Sequence, residues 1–202
     1  MERSAVWNRI VLESKHFVVV PSLGSLVEGW LMIVPRAHSL SIAALPPALF
    51  SELDQVKAEV HRLLVAEYGS SSFFEHGPAG LRRSTGCGVD HAHLHAVPIA
   101  GNLIVGAQSF LPAGVTFRPG GIEECTAAIK VGADYLYVEQ PVGYSYVAVH
   151  SAFASQTLRK VIAAQLGVVE RFNWREYPQI ENIEATLGRL VPQVAALEAI
   201  AV

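Results

Sequence analysis

Three histidines at alternate positions constrain the fold of this chain more than any other feature. His91, His93 and His95 lie in the run Cys87-Gly-Val-Asp-His-Ala-His-Leu-His-Ala-Val-Pro98. Alternate residues of a β-strand face the same side of a sheet, so residues 91–98 are predicted to form a strand with three imidazoles on one face. The small or apolar residues between them would pack into a core on the other face. Because imidazole titrates near neutral pH, such a row suits nucleophilic, acid–base or metal-binding chemistry.

Composition limits the classes of protein that can carry this strand. The chain has 202 residues, of which 51% are hydrophobic and 16% charged, with a formal net charge of −3. This balance predicts a well-packed globular protein and argues against disorder and against binding to duplex nucleic acid. Two cysteines, Cys87 and Cys125, are too few for a disulfide framework. The apolar runs are too short to span a bilayer, and the first residues do not look like a targeting signal, so we expect a cytoplasmic protein with no membrane partner.

The segment before the histidines predicts a small sheet and one long helix. Short apolar runs at residues 16–20 and 30–34 are each closed by proline and predict an antiparallel pair of strands. Residues 48–68 carry apolar side chains at helical spacing after Pro46-Pro47 and before Gly69, which predicts a helix. Residues 72–75 predict a third strand.

The chain changes character after Ile99. Gly and Pro are frequent in residues 100–121, which predicts a long connection. The remaining elements that we predict are a hairpin formed by residues 134–139 and 144–149, a helix capped by Ser155 and ending at Leu166, and an amphipathic segment over 180–201 that is interrupted near Pro192.

The ordered motifs of the first hundred residues resemble those of the histidine-triad (HIT) superfamily. The signature is His91-Ala-His93-Leu-His95-Ala-Val-Pro, and the run Val27-Glu-Gly-Trp-Leu-Met-Ile-Val-Pro-Arg-Ala-His38 looks like the family's strand before its helix. A strand ending in Glu75-His76-Gly77 then precedes the histidines. The resemblance implies an α+β fold, an antiparallel sheet of about five strands with a long helix packed on it. We therefore predict a HIT-like domain over residues 1–110 and an extension, a hairpin and helices, over 111–202.

The same resemblance implies a nucleotide hydrolase. In this family the middle histidine attacks the α-phosphorus of a nucleotide conjugate and forms a nucleotidyl-histidine. His93 would then be the nucleophile, His95 would bind phosphate oxygens and help to protonate the leaving group, and His91 would orient its neighbours. Transferases of the family tend to carry Gln at the third position, so His95 favours hydrolysis of a dinucleoside polyphosphate or a nucleoside phosphoramidate. No cofactor would be required, although a divalent metal is possible, and a homodimer is possible too.

The candidate nucleotide- and phosphate-binding positions depart from the family pattern. Ser22 stands nearest to the place where the family often has an acidic or amide residue for ribose, Glu75 aligns with an Asn, and Gly88 occupies a phosphate-contact position. Arg82 and Arg83, on the loop before the histidines, and His76 are alternative phosphate ligands.

Other interpretations of these residues stay open on sequence alone. The transferase or phosphorylase alternative differs only in whether phosphate or water accepts the nucleotidyl group. The three imidazoles can also share a metal ion, or bind a nucleotide without turnover. Trp30 is most simply a core residue, and Gln156, Arg159 and Lys160 are predicted to form the polar side of a helix.

Overall fold

The computed structural model describes residues 6–80, 90–141, 143–151 and 153–200. Within these ranges the chain forms one eight-stranded sheet in the order β1-β2-β3-β5-β4-β7-β8-β6. The strands are β1 (Leu12–Glu13), β2 (Phe17–Pro21), β3 (Leu31–Pro35), β4 (Ser72–Gly77), β5 (Leu94–Val97), β6 (Arg118–Pro119), β7 (Asp134–Glu139) and β8 (Ser145–His150). The α-helices are α1 (Phe50–Tyr68), α2 (Leu103–Ala107), α3 (Ile122–Lys130), α4 (Thr157–Gln165) and α5 (Ile180–Ile200).

The α+β class and the antiparallel sheet predicted from the sequence are confirmed. Strands β2 and β3 pair with Val19 opposite Ile33, and β7 and β8 form the predicted hairpin. The expected number of about five strands holds for the first hundred residues, which supply the order β1-β2-β3-β5-β4. The total is higher because β7 pairs with the outer edge of β4, which satisfies backbone groups that an edge strand would leave unpaired.

One face of the sheet carries the core that holds the two halves of the chain together. Apolar residues of α1, including Leu53, Val60 and Leu64, pack on the inward side chains of β2, β3 and β5. Ile183 and Leu187 of α5 belong to the same core. The sheet and this core thus both contain residues from before and after position 110. The domain boundary predicted there stays a prediction.

The other face is covered only in part. Over β4, β7 and β8 it packs against α2 and α4 in a second apolar core, to which Phe74, Leu136 and Ile162 contribute. Over β2 and β3 the corresponding side chains, such as Met32 and Val34, are half-buried. The histidines lie at the edge of this covering layer, between the covered strands and the half-buried face of β2 and β3.

Several predicted elements differ in their bounds. The histidine strand begins at Leu94, because the segment before it bonds to another loop, with the Ala92 N–H donating to the Ser39 carbonyl at 2.7 Å. Helix α4 begins at Thr157 after Gln156, so the predicted cap at Ser155 is wrong by one residue. Helix α5 runs through Pro192 without the predicted interruption, since buried residues before and after it pack on one core.

The predicted long connection over residues 100–121 contains regular structure. It includes α2, whose first turn is capped by the Asn102 side chain, and β6. Helix α3 follows it, with the Gly121 N–H donating to Glu124 Oε2 at 2.7 Å. None of the helices among the described residues combines the length and the apolar character needed to cross a membrane.

Candidate active site

His93 has one ring nitrogen fixed by the backbone. Its Nδ1 lies 2.7 Å from the carbonyl oxygen of His91. A carbonyl only accepts hydrogen bonds, so Nδ1 must carry the hydrogen and the lone pair of the neutral ring lies on Nε2. His93 is half-buried, just before the first residue of β5. The geometry therefore prepares Nε2 to act as a nucleophile.

His91 lies at the side of the site and is anchored. Its Nε2 donates to the carbonyl oxygen of Pro35 at 2.8 Å, and its ring packs edge-on against His38, with 5.4 Å between centroids. The neighbouring segment is held too, because His38 Nε2 lies 2.6 Å from the Asp90 carbonyl oxygen. The orienting role predicted for His91 stays a prediction. The main-chain carbonyl of His91 would perform it by accepting the hydrogen bond of His93 Nδ1.

His95 lies deeper and is held by a tryptophan. The Trp30 Nε1–H donates to His95 Nδ1 at 3.0 Å, and the His95 ring stacks on Phe74 at 4.5 Å between centroids. Because Nδ1 accepts this bond, the hydrogen of the neutral ring is on Nε2. That Nε2 is buried and has no hydrogen-bond partner among the described residues. Burial first, and then the electrostatic influence of His93 and of the Arg159 guanidinium, lower the pKa of His95 well below its usual range.

Arg159 is the residue whose observed environment differs most from the sequence-based prediction. Its side chain was expected on the polar side of a helix, yet it is only 2% exposed, and Gln156 is buried as well. Its Nε donates to the Phe172 carbonyl at 3.0 Å, Nη2 donates to the Gly24 carbonyl, and the guanidinium lies 4.6 Å from the centroid of the Trp30 ring. The solvated interpretation of these two residues is wrong, because α4 presents this side to the sheet and not to water. Lys160, next in the helix, is half-buried.

A cavity of about 160 Å³ joins these groups. Its walls contain residues from both halves of the chain: Ser22, Leu23, Met32, His93, His95, Arg159 and Trp174. A second, wider cavity of about 530 Å³ lies on the other side of His93, over the half-buried face of β2 and β3, and reaches His91 and Arg36. His93 and Met32 line both cavities. The candidate nucleophile thus lies between a small compartment lined by the buried Arg159 and a wider, mainly apolar one that reaches Arg36.

The other predicted binding residues do not all lie at the cavity. Ser22 is buried and lines the smaller cavity, and its role in binding ribose or phosphate stays a prediction. Glu75 lies on the opposite face of β4, where it accepts the Ile42 N–H at 2.8 Å and the Tyr135 hydroxyl. Burial raises its pKa to about 7. The structure therefore does not bring Glu75 into the cavity.

His76 lies on the same face of β4 as Phe74, edge-on to Phe153 at 5.8 Å between ring centroids. Both of its ring nitrogens are buried without a hydrogen-bond partner among the described residues. Burial lowers the pKa of His76 to about 4, so it would act as a neutral donor or acceptor. Arg82, Arg83 and Gly88 lie outside the described residues, and their phosphate-binding roles stay predictions.

The sequence-based predictions missed three functional candidates. Trp30 was assigned to the core, and it is fully buried, but its N–H also fixes His95. Arg159 and Trp174 come from the second half of the chain, where no motif pointed to a site. A weak signal existed in Trp174-Arg175, two bulky residues in a polar loop, but nothing in its spacing linked it to residues 91–95.

Among residues 6–80, 90–141, 143–151 and 153–200, no three His, Cys, Asp or Glu side chains are grouped so that they could hold a metal ion.

Comparison with known proteins gave structural likenesses only. No family model and no curated protein matches the chain. It is similar to a hypothetical histidine triad nucleotide-binding protein from Sulfolobus tokodaii (16% identity, 46% of this chain and 62% of that one, TM-score 0.37). It is also similar to a HIT family protein from Bacillus anthracis (24% identity, 46% and 64%, TM-score 0.38). A third likeness is to a yeast Ap4A phosphorylase in complex with AMP (13% identity, 70% and 58%, TM-score 0.43).

The chain spans less than two thirds of the length of each of these three proteins. The chemistry proposed for the site rests on the geometry of the chain's own residues.

Proposed function

We propose that the protein cleaves a nucleotide conjugate at its α-phosphate through a nucleotidyl intermediate on His93. The observation that carries this proposal is the arrangement, in one cavity, of two imidazoles whose hydrogen bonds assign them opposite tautomers. His93 has its lone pair on Nε2, and His95, with its ring centroid 4.9 Å away, has its hydrogen on Nε2. One ring is prepared to attack phosphorus and the other to donate a hydrogen bond to a phosphoryl oxygen.

The proposed reaction has two steps. His93 Nε2 attacks the α-phosphorus, the phosphorus–nitrogen bond forms, and the bond to the leaving group breaks with its electron pair on the leaving group. The His93 Nδ1–H remains hydrogen-bonded to the His91 carbonyl oxygen, and this bond stabilises the ring while the ring bears a positive charge. Water then attacks phosphorus, the phosphorus–nitrogen bond breaks, the imidazole is restored, and the water gives one proton to solvent.

Arg159 supplies the charge that such a reaction needs. A buried guanidinium at the cavity wall attracts an anionic phosphate and offsets the charge that develops on its oxygens. The His95 Nε2–H adds a directed donor whose nitrogen is buried, and a hydrogen bond is stronger in such an environment than in water. Ser22 lines the same cavity and is the candidate for ribose or phosphate contact.

Hydrolysis is our first choice and nucleotidyl transfer to phosphate is the alternative. The two differ only in the acceptor that enters the second step. A third possibility is a protein that binds a nucleotide and does not turn it over. No organic cofactor takes part in the proposed steps, and a divalent ion would act only by bridging the phosphates of a polyphosphate substrate.

The proposal is tested by measuring nucleoside monophosphate release from a panel of dinucleoside polyphosphates and nucleoside phosphoramidates. Wild type, His93→Ala and His61→Ala are compared, with and without chelator and with and without inorganic phosphate. His61 is a matched control because it lies on α1, bonded to Ser71, on the far side of the sheet.

We expect release that survives chelation and His61→Ala and falls at least about 10³-fold in His93→Ala, since loss of a nucleophile removes the covalent route. A product one phosphate longer in the presence of phosphate would identify the transferase. Saturable nucleotide binding without release would identify the binding protein, and activity retained in His93→Ala would contradict the proposal.

A further inference from the structure

Trp30 is positioned to control the protonation of His95. It directly precedes β3, and its side chain is fully buried. One face of the indole carries the Arg159 guanidinium at 4.6 Å, and its ring is edge-on to Phe74 at 5.8 Å between centroids. These neighbours fix the direction in which the indole N–H points, and it points at His95 Nδ1.

An indole nitrogen donates hydrogen bonds and cannot accept them. If His95 were an imidazolium ion, its Nδ1–H would face the Trp30 N–H, and two donors would lie 3.0 Å apart. The groups around the ring oppose a positive charge from several sides. Arg159 approaches from α4, His93 from the segment before β5, and the apolar ring of Phe74 from β4. The hydrogen bond and its surroundings therefore hold His95 in its neutral form.

We propose that Trp30 determines the class of leaving group, by restricting His95 to hydrogen-bond donation so that the enzyme acts on conjugates whose leaving group departs as an anion. The inference rests on the proposed function of His93. A neutral His95 favours diphosphate and polyphosphate conjugates, because their leaving oxygen is stable as an anion near neutral pH. It disfavours phosphoramidates of alkylamines, because their nitrogen must gain a proton as it leaves.

The first step is balanced without proton transfer. The bond between His93 Nε2 and phosphorus forms, the bond between phosphorus and the phosphate oxygen breaks, and that oxygen keeps the electron pair. His95 Nε2–H remains on His95 and donates to an oxygen of the transferred phosphoryl group. An amine leaving group would need a proton from His95, which the neutral ring does not supply.

The test compares wild type, Trp30→Phe and Trp7→Phe on two adenosine 5′-phosphate conjugates, a polyphosphate and an alkylamine phosphoramidate. Trp30→Phe keeps an aromatic ring and removes the N–H, so a proton on His95 Nδ1 would no longer face a second donor. Trp7 is a matched control, because it is 37% exposed and lies outside the site.

We expect wild type and Trp7→Phe to prefer the polyphosphate by at least about 100-fold in kcat/KM, and Trp30→Phe to reduce that preference to about tenfold or less. General acid catalysis is worth about 10²–10⁴-fold, so its appearance in the variant should be measurable. A preference unchanged in Trp30→Phe, or absent in wild type, would overturn the inference.

The second readout is independent of turnover and of the folding of the variant. In ¹⁵N NMR spectra of the histidine rings of wild type, His95 should keep an unprotonated Nδ1 and a protonated Nε2 from pH 5.5 to pH 8. Titration of His95 within that range would overturn the inference. If both substrates are cleaved equally in a reaction that requires His93, only the leaving-group inference fails. If cleavage does not require His93, the proposed function fails.

Discussion

Arg159→Met tests the most unexpected placement in the structure, a charged side chain of α4 buried between the sheet and two loops. Arg159 donates to the Phe172 and Gly24 carbonyls and stacks on Trp30. Methionine keeps an apolar chain of similar length but removes these hydrogen bonds, and the two carbonyls lose their donors. The free energy of unfolding should therefore be much lower in this variant.

The magnitude follows from these contacts. Hydrogen bonds to a charged group are worth about 1.5–3 kcal/mol each, and a desolvated cation–π contact about 2 kcal/mol. The three contacts share one group and are not additive, and the removal of a buried charge returns part of its desolvation cost. We therefore expect Arg159→Met to lower the free energy of unfolding by about 3–5 kcal/mol.

Urea unfolding followed by circular dichroism measures this difference, with Lys160→Met as the matched control. Lys160 is the next residue of the same helix, and its Nζ lies 4.8 Å from the centroid of the Phe172 ring. It is half-buried, so its loss should cost about 1 kcal/mol or less. Equal losses in the two variants would refute the buried position of Arg159, and with it the cavity in which His93 and His95 meet.

Two further predictions concern the core beneath the site. Gly77→Ala should destabilise the protein by about 3 kcal/mol in urea unfolding, because its Cβ would lie 2.1 Å from Cζ of the buried Tyr135 ring. Gly80→Ala, whose Cβ meets no atom of the described residues within 4 Å, should cost much less. Burial raises the pKa of Glu75 from 4.5 to about 7, so its proton is held more tightly in the folded protein and stability should fall by up to about 3 kcal/mol as pH rises across that interval. Glu75→Gln should flatten this pH dependence between pH 5 and pH 8, and an unchanged slope would show that another group causes it.

The elements closest to the histidines were predicted well because local patterns determine them. Apolar strands closed by proline and separated by a short loop produced β2 and β3, and the apolar spacing between Pro47 and Gly69 produced α1. Alternation placed His95 on the face opposite Leu94, as the structure has it. It overestimated the strand, since the residues before Leu94 bond to the Pro35–Ser39 segment, which is distant in sequence.

The second half was predicted less well because its packing depends on contacts distant in sequence. Polar residues at helical spacing usually mark a solvated face, and nothing near Arg159 in the sequence reveals that Gly24 and Phe172 receive its hydrogen bonds. The same holds for Trp30, whose partner His95 is 65 residues away. Helix α3 had a local signal, Gly121 followed three residues later by Glu124, that was not recognised.

The central claim, a covalent nucleotidyl intermediate on His93, is tested most directly by intact-protein mass spectrometry. The protein is mixed with the best substrate of the panel and quenched at alkaline pH within one turnover, since a phosphorus–nitrogen bond to histidine is labile to acid. We predict a mass gain of one nucleotidyl group that maps to the peptide containing His93 and is absent from His93→Ala. An unmodified protein during active turnover, or an adduct that maps to another residue, would contradict the assignment.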